Sequence, residues 1–205
     1  MSARKIRIAV LVSGGGTNLQ ALLDACAAGK MPHGEIALVV SNKEGAYALT
    51  RAEKAGVEHA TLTRAALGSA EEFEKALCHL LAEKQIDVVV LAGFLAILSE
   101  RFIAAYPRRI INVHPSLIPS FCGKGYYGLR VHEAALSYGV KVTGATVHFV
   151  NEVPDGGEII LQKAVEIRAG DTPEVLQRRV MEEAEWILLP AAVEQVCREL
   201  TEKGE

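Results

Sequence analysis

Several features that would commit this chain to a partner class are missing from it. No stretch approaches the roughly 20 consecutive apolar residues of a membrane span. The one apolar run near the start, residues 6–12, stops in three glycines and is too short for a secretory signal. A cytoplasmic protein with no membrane partner is the expectation. No basic run exceeds Arg108-Arg109 and the formal net charge is -3, so counterion release has little to work with and nucleic acid is not expected as a partner. The four cysteines, Cys26, Cys78, Cys122 and Cys197, lack any C-x-x-C spacing, which fits reduced thiols better than a disulfide framework or a zinc site. Internal repeats, low-complexity tracts and linkers are also absent. With 205 residues, 50% hydrophobic and 23% charged, the chain reads as one domain over residues 1–205.

What is present is an alternation of strand-length apolar runs with helical periodicity, the pattern of βαβ units around a parallel sheet. Residues 6–12 read as a first strand, followed by a helix with Leu19, Leu22, Leu23 and Cys26 at helical spacing. Residues 36–40 and, more weakly, 57–62 read as strands, with a helix over 46–55 between them closed by Gly56. A helix over 71–84 carries Phe73, Leu77 and Leu80 or Leu81 on one face; strands follow at 87–91 and 109–113. After Gly139 the character changes: residues 142–150 and 159–167 pair like a long hairpin across Asn151 to Gly157. Asp171 or Thr172 then caps a long last helix with Pro173 in its first turn, a stripe of Val180, Ala184, Ile187, Leu188 and Ala191, and a kink or break at Pro190. The expected fold class is α/β: a doubly wound, mostly parallel, Rossmann-like sheet with antiparallel strands added near the C-terminus.

Such sheets bind ligands beyond the carboxyl ends of their strands, where three segments stand out. In Ser13-Gly-Gly-Gly-Thr-Asn18, glycines allow close backbone approach and the following helix start favours an anion such as phosphate. A Walker loop would end in Gly-Lys-Ser/Thr and a dinucleotide fold would have glycine at Leu19, so a phosphorylated small molecule fits better than ATP or NAD; a tight turn without a ligand is the alternative. In Asn112-Val-His-Pro-Ser116, a carboxamide and an imidazole two residues apart can face one developing oxyanion, as acyl transfer through a tetrahedral intermediate requires. Asp155, in Pro154-Asp-Gly-Gly157, is either a turn residue or, if the turn folds back over the sheet, a partner that favours charged His114 and orients a proton-carrying water. No G-x-S-x-G elbow surrounds Ser13, and His114, Cys122, His132 and His148 lack a recurring metal-ligand spacing, so neither a serine nucleophile nor a metal is expected.

Together with Asn42-Lys43, Leu91-Ala-Gly-Phe94 and His148-Phe-Val150, these motifs resemble the phosphoribosylglycinamide formyltransferase family in order and spacing from about residue 6 to residue 190. The resemblance implies formyl transfer from 10-formyltetrahydrofolate, as co-substrate, to the amine of phosphoribosylglycinamide, with no metal. It implies that Gly15, Gly16, Thr17 and Asn18 hold the substrate phosphate and that Glu185 touches the glycinamide, an alignment that needs a one-residue shift after Val180. Asn112 and His114 would stabilise the oxyanion, aided by Asp155. The folate would lie along Phe94, Leu95, Ala96, Ile97 and Leu98, beside Asn112 and the turn from Val153 to Gly157. The chain departs from that pattern at Ala96 and Ala70, where relatives often carry an arginine and a basic residue beside the folate's glutamate tail. Lys124, Tyr126 and Tyr127, in a loop longer than in many relatives, are candidate replacements. Within the wider group, methionyl-tRNA formyltransferase would add a basic C-terminal domain, and formyltetrahydrofolate hydrolase a domain before the core; the hydrolase and a non-catalytic phosphometabolite-binding module are the alternatives. Monomer and homodimer both remain open.

Overall fold

The computed structural model describes residues 4–204. Its centre is a seven-stranded sheet of β1 (Ile6–Val12), β2 (Gly34–Ser41), β3 (His59–Thr61), β4 (Val88–Leu91), β5 (Ile110–His114), β6 (Val142–Phe149) and β7 (Ile159–Glu166), in the order β3-β2-β1-β4-β5-β6-β7. The first five are mutually parallel, β6 pairs antiparallel with β5, and β7 pairs antiparallel with β6. Strand order reverses between β1 and β4, and the carboxyl ends of β1, β4 and β5 open onto the same edge of the sheet.

Alternation along β1 explains why both faces are covered. Ile8, Val10 and Val12 join one core with Leu19 and Leu22 of α1 (Thr17–Ala27) and Leu189, Val193 and Val196 of the last helix; Ala9 and Leu11 join the other with Phe73, Leu77 and Leu81 of α4 (Ala70–Glu83). The remaining helices are α2 (Tyr47–Lys54), α3 (Arg64–Leu67), α5 (Glu100–Ala105), α6 (Leu129–Tyr138), α7 (Pro173–Val180) and α8 (Trp186–Lys203). Thr63, Ser69, Ser99 and Thr172 cap α3, α4, α5 and α7 through their hydroxyls.

Two readings of the sequence are corrected and one alternative is decided. The strand expected over 57–62 is reduced to three residues at the sheet edge, where pairing on one side alone supports it. Leu81, not Leu80, completes the buried face of α4. The last helix is interrupted by a π-helical turn, Met181–Glu185, and not by Pro190, which lies within α8. That turn is wider than an α turn, so it rotates everything after it: Leu189 and Ala192 are buried, whereas Ile187 is 52% exposed and Ala191 faces out. Pro190 follows the turn closely, where the ladder has just changed register and a missing N–H disturbs least.

Candidate active site

The loop after β1 is shaped by packing on α2. Gly16 has φ +71°, and a Cβ there would lie 2.6 Å from the Ala48 Cβ, so only glycine fits this close approach. Arg51 of α2 donates from Nε to the Gly15 carbonyl (2.8 Å) and from Nη1 to Gln20 (2.8 Å), which fixes the loop from outside. Ser13 accepts the Leu95 N–H (3.0 Å), tying the end of β1 to the loop after β4. Thr17 turns its hydroxyl toward the Met181 sulfur and lines an outer cavity with Gln20, Arg51 and Trp186. Asn18 points inward instead and donates to Glu185 Oε2 (2.8 Å). Glu185 sits in the π turn, which swings it under α1; burial pushes its carboxyl up to about 7 against the opposing Asn18 hydrogen bond.

Asn112 and His114 project from one face of β5, and antiparallel pairing sets His148 of β6 directly across from Asn112. Asn112 Nδ2 lies 3.2 Å from His148 Nε2 and 3.5 Å from Asp155 Oδ1. The other nitrogen of His148 donates to the Phe149 carbonyl (2.8 Å), which leaves Nε2 as an acceptor for the Asn112 amide. The turn after β6 does fold back over the sheet. Asp155, at φ +56°, accepts the Gly123 N–H (2.8 Å) and lies 3.5 Å from His114 Nδ1. His114 Nε2 meets the Phe121 carbonyl at 2.9 Å, so both ring nitrogens face acceptors.

The electrostatics of this cluster are divided. Burial pulls His114 below the ordinary imidazole value, and the Asp155 charge and Phe121 carbonyl only partly offset it. For Asp155 burial is again the largest single influence, upward, but the imidazoles beside it, His148 and His114, and the Gly123 N–H together hold the carboxyl below its usual range. A cavity of about 250 Å³ joins Asn112, His114 and Asp155 to Asn18 and Glu185. A second, of about 140 Å³, meets it at Asn112 and Asp155 and is lined by Phe94, Ala96, Ile97, Leu98 and Val153.

Leu95 lines the first cavity, not the second. Gly157 lines neither, because its α-carbon is pressed against the Phe149 carbonyl, a packing role. Tyr126 and Tyr127 border the cavity around His114, while Lys124 is exposed and borders none of the cavities described. Among the described residues, no three His, Cys, Asp or Glu side chains are grouped to hold a metal ion.

The family model described as formyl transferase matches residues 6–193. The chain belongs to the formyl transferase family. Phosphoribosylglycinamide formyltransferase of Escherichia coli K12 is 43% identical over 175 residues, covering 85% of this chain and 80% of that one. The crystal structure of glycinamide ribonucleotide transformylase 1 from Symbiobacterium toebii superposes with a TM-score of 0.89 at 44% identity, over 95% of this chain and 89% of that one. The trifunctional purine biosynthetic protein adenosine-3 of Gallus gallus is 43% identical over 207 residues, and the formyl transferase chain spans about a fifth of its length: 100% of this chain against 20% of that one. No helix among the described residues is long and apolar enough to cross a membrane.

Some groups around these cavities escaped the sequence reading. His148 was part of a motif, but its contact with Asn112 depends on cross-strand register. The Phe121 carbonyl and Gly123 N–H are backbone groups with no residue signature. His132 of α6 is fully buried on the His114 cavity with neither ring nitrogen bonded, and burial together with His114 lowers it to about 4. A mid-helix histidine gives no signal of this in sequence.

Proposed function

We propose that this protein transfers the formyl group of 10-formyltetrahydrofolate to the amine of phosphoribosylglycinamide, a step of purine biosynthesis, in the cytoplasm, within one formyltransferase domain and as a monomer or homodimer. The observation that carries the reading is the convergence of Asn112, His114 and Asp155 on one wall of a cavity whose other end holds Asn18 and Glu185.

In this reading the start of α1, from Gly15 to Asn18, meets the phosphate with backbone N–H groups and the positive end of the helix. Glu185, titrating near neutrality, receives the glycinamide amine and takes up its proton when the neutral amine is needed for attack. The formyl carbon lies where the two cavities meet, beside Asn112. Attack places negative charge on the formyl oxygen. The second N–H of Asn112, the first being held by His148, donates to it, and His114 donates from Nε2 once the Phe121 carbonyl gives way. Asp155 keeps the imidazole able to carry the proton that N10 of the departing tetrahydrofolate must receive. The folate ring occupies the pocket of Phe94, Ile97, Leu98 and Val153.

The test is consumption of 10-formyltetrahydrofolate with and without phosphoribosylglycinamide. Formylated product and folate turnover that both require the amine are expected. Equal folate consumption without it would replace this reading with the hydrolase, and no turnover in either case would leave a binding module.

A further inference from the structure

The loop after β1 carries no cation of its own. Ser13 to Asn18 offers three glycines, two hydroxyls and a carboxamide, whereas a phosphate monoester bears a charge of roughly -1.5 to -2 at pH 7. Support reaches the loop from behind, from α2. Two consecutive loop carbonyls are turned toward that helix: Gly14 accepts the Ala48 N–H (3.1 Å) and Gly15 accepts Arg51 Nε (2.8 Å). A trans peptide sets its C=O and N–H in opposite directions, so the N–H groups of Gly15 and Gly16 face away from α2. Among the described residues no protein group accepts from either, and successive N–H groups turned to one side form a concavity suited to an anion.

Arg51 is the one charged member of this arrangement. Its Nη1 donates to the Gln20 carboxamide (2.8 Å), and its guanidinium carbon lies 5.0 Å from the centre of the Tyr47 ring, so its other partners are neutral as well. Asp24, the acid on the outer cavity that Arg51 lines, accepts from Gln20 Nε2 (2.9 Å) instead. Among the described residues no carboxylate pairs with Arg51, and its charge is uncancelled where it grips the Gly15 carbonyl. A charged donor on a carbonyl polarises the whole peptide group and makes the N–H at its far side a stronger donor. The side chain thus fixes the direction of the Gly16 N–H and strengthens it.

We infer that Arg51 is a positioning residue for the substrate phosphate, acting through the Gly15–Gly16 peptide: it aims the Gly16 N–H at the anion and strengthens it without touching the ligand. The inference rests on the proposed phosphorylated substrate and adds a determinant of its affinity that lies outside the loop. Ala48 shares the task through its backbone, so a side-chain substitution reaches only the Arg51 half.

Calorimetric binding of phosphoribosylglycinamide and of 10-formyltetrahydrofolate to the wild type, Arg51→Met and Arg51→Lys tests it. In Arg51→Met the Kd for the phosphorylated amine should weaken about 5- to 10-fold, the scale of a partly exposed charge-assisted contact, while the folate binds as it does to the wild type. Arg51→Lys keeps the charge but cannot reach Gly15 and Gln20 together, and should recover part of the loss. In steady-state assays the loss should appear in KM for the amine with kcat retained. An unchanged Kd in Arg51→Met, equal weakening of both ligands, or Arg51→Lys binding no better than Arg51→Met overturns the role of Arg51 while leaving the substrate intact. If the wild type binds the folate but not phosphoribosylglycinamide, the proposed substrate falls and this inference with it.

Discussion

Replacing Glu185 with glutamine should stabilise the protein while removing activity. Glu185 is 6% exposed, the one hydrogen bond to its carboxyl comes from Asn18, and burial raises that carboxyl from an ordinary 4.5 to about 7. A folded-state value above the unfolded one means that stability is fully present below the unfolded value and is lost as pH rises through the folded one. Over the 2.5 units between 4.5 and 7, at roughly 1.4 kcal/mol per unit, the loss is about 3 kcal/mol. An isosteric amide carries no charge to bury and can still accept from Asn18. At about pH 8 the Glu185→Gln protein should therefore be more stable than the wild type by about 3 kcal/mol, or roughly 6–12 °C in Tm for a chain of this size. The gap should close toward about pH 5, where the wild-type carboxyl is protonated. Scanning calorimetry across that range reads the difference directly. In the same samples turnover should fall about 100-fold, because the group that takes up the amine proton is gone. A variant no more stable than the wild type at alkaline pH would refute the reasoning, since it would mean that Glu185 ionises in the fold without penalty.

Two other substitutions probe the frame of the site. Gly16→Ala forces a Cβ to 2.6 Å from the Ala48 Cβ at a positive φ, and should cost about 2–4 kcal/mol in urea unfolding while raising KM for the phosphorylated substrate more than for the folate; an unchanged denaturation midpoint would show that α2 does not confine the loop. His148→Phe removes the acceptor that orients the Asn112 amide and should lower kcat about 10- to 100-fold with donor affinity little changed, His148→Gln recovering part of it; wild-type kcat in His148→Phe would remove the positioning role.

How much of this could be read from sequence follows from how each feature is encoded. Strands β1 and β4 were legible because a strand covered on both faces reads as a nearly continuous apolar run, and β5 because its first half, Ile110-Ile111, does the same before the site residues begin. The short α5 and α6 were not, since they bury only one and three residues and their start and stop signals resemble loop composition. The π turn is invisible to a period-3.6 reading, and it moved Ile187 and Ala191 from the expected core to the surface. It also falls at the place where aligning Glu185 with the family required a one-residue shift. Asn112 and His114 could be paired from their spacing alone, because period two on an extended strand fixes a common side. Asp155 could not be placed until the turn was seen to return over the sheet, and the Phe121 and Gly123 contributions come from backbone, whose chemistry is the same at every residue.

The two carboxyl groups of the site are driven in opposite directions, and that separation assigns their tasks. Asp155 has His114, His148 and a backbone N–H around it and stays ionised; Glu185 has Asn18 alone and is poised near neutrality. An amine must be neutral to attack a formyl carbon, and the nitrogen it displaces must end protonated, so one proton has to leave one end of the cavity and one has to arrive at the other. A group near 7 can receive the first, and an imidazole facing a fixed negative charge can deliver the second. Had both carboxyls been buried alike, both would be neutral and His114 would lose the charge that holds its proton. Had both been exposed, Glu185 would be a weak base at physiological pH. The asymmetry arises from position: the turn after β6 leaves Asp155 within reach of polar neighbours, whereas the π turn drives Glu185 beneath α1.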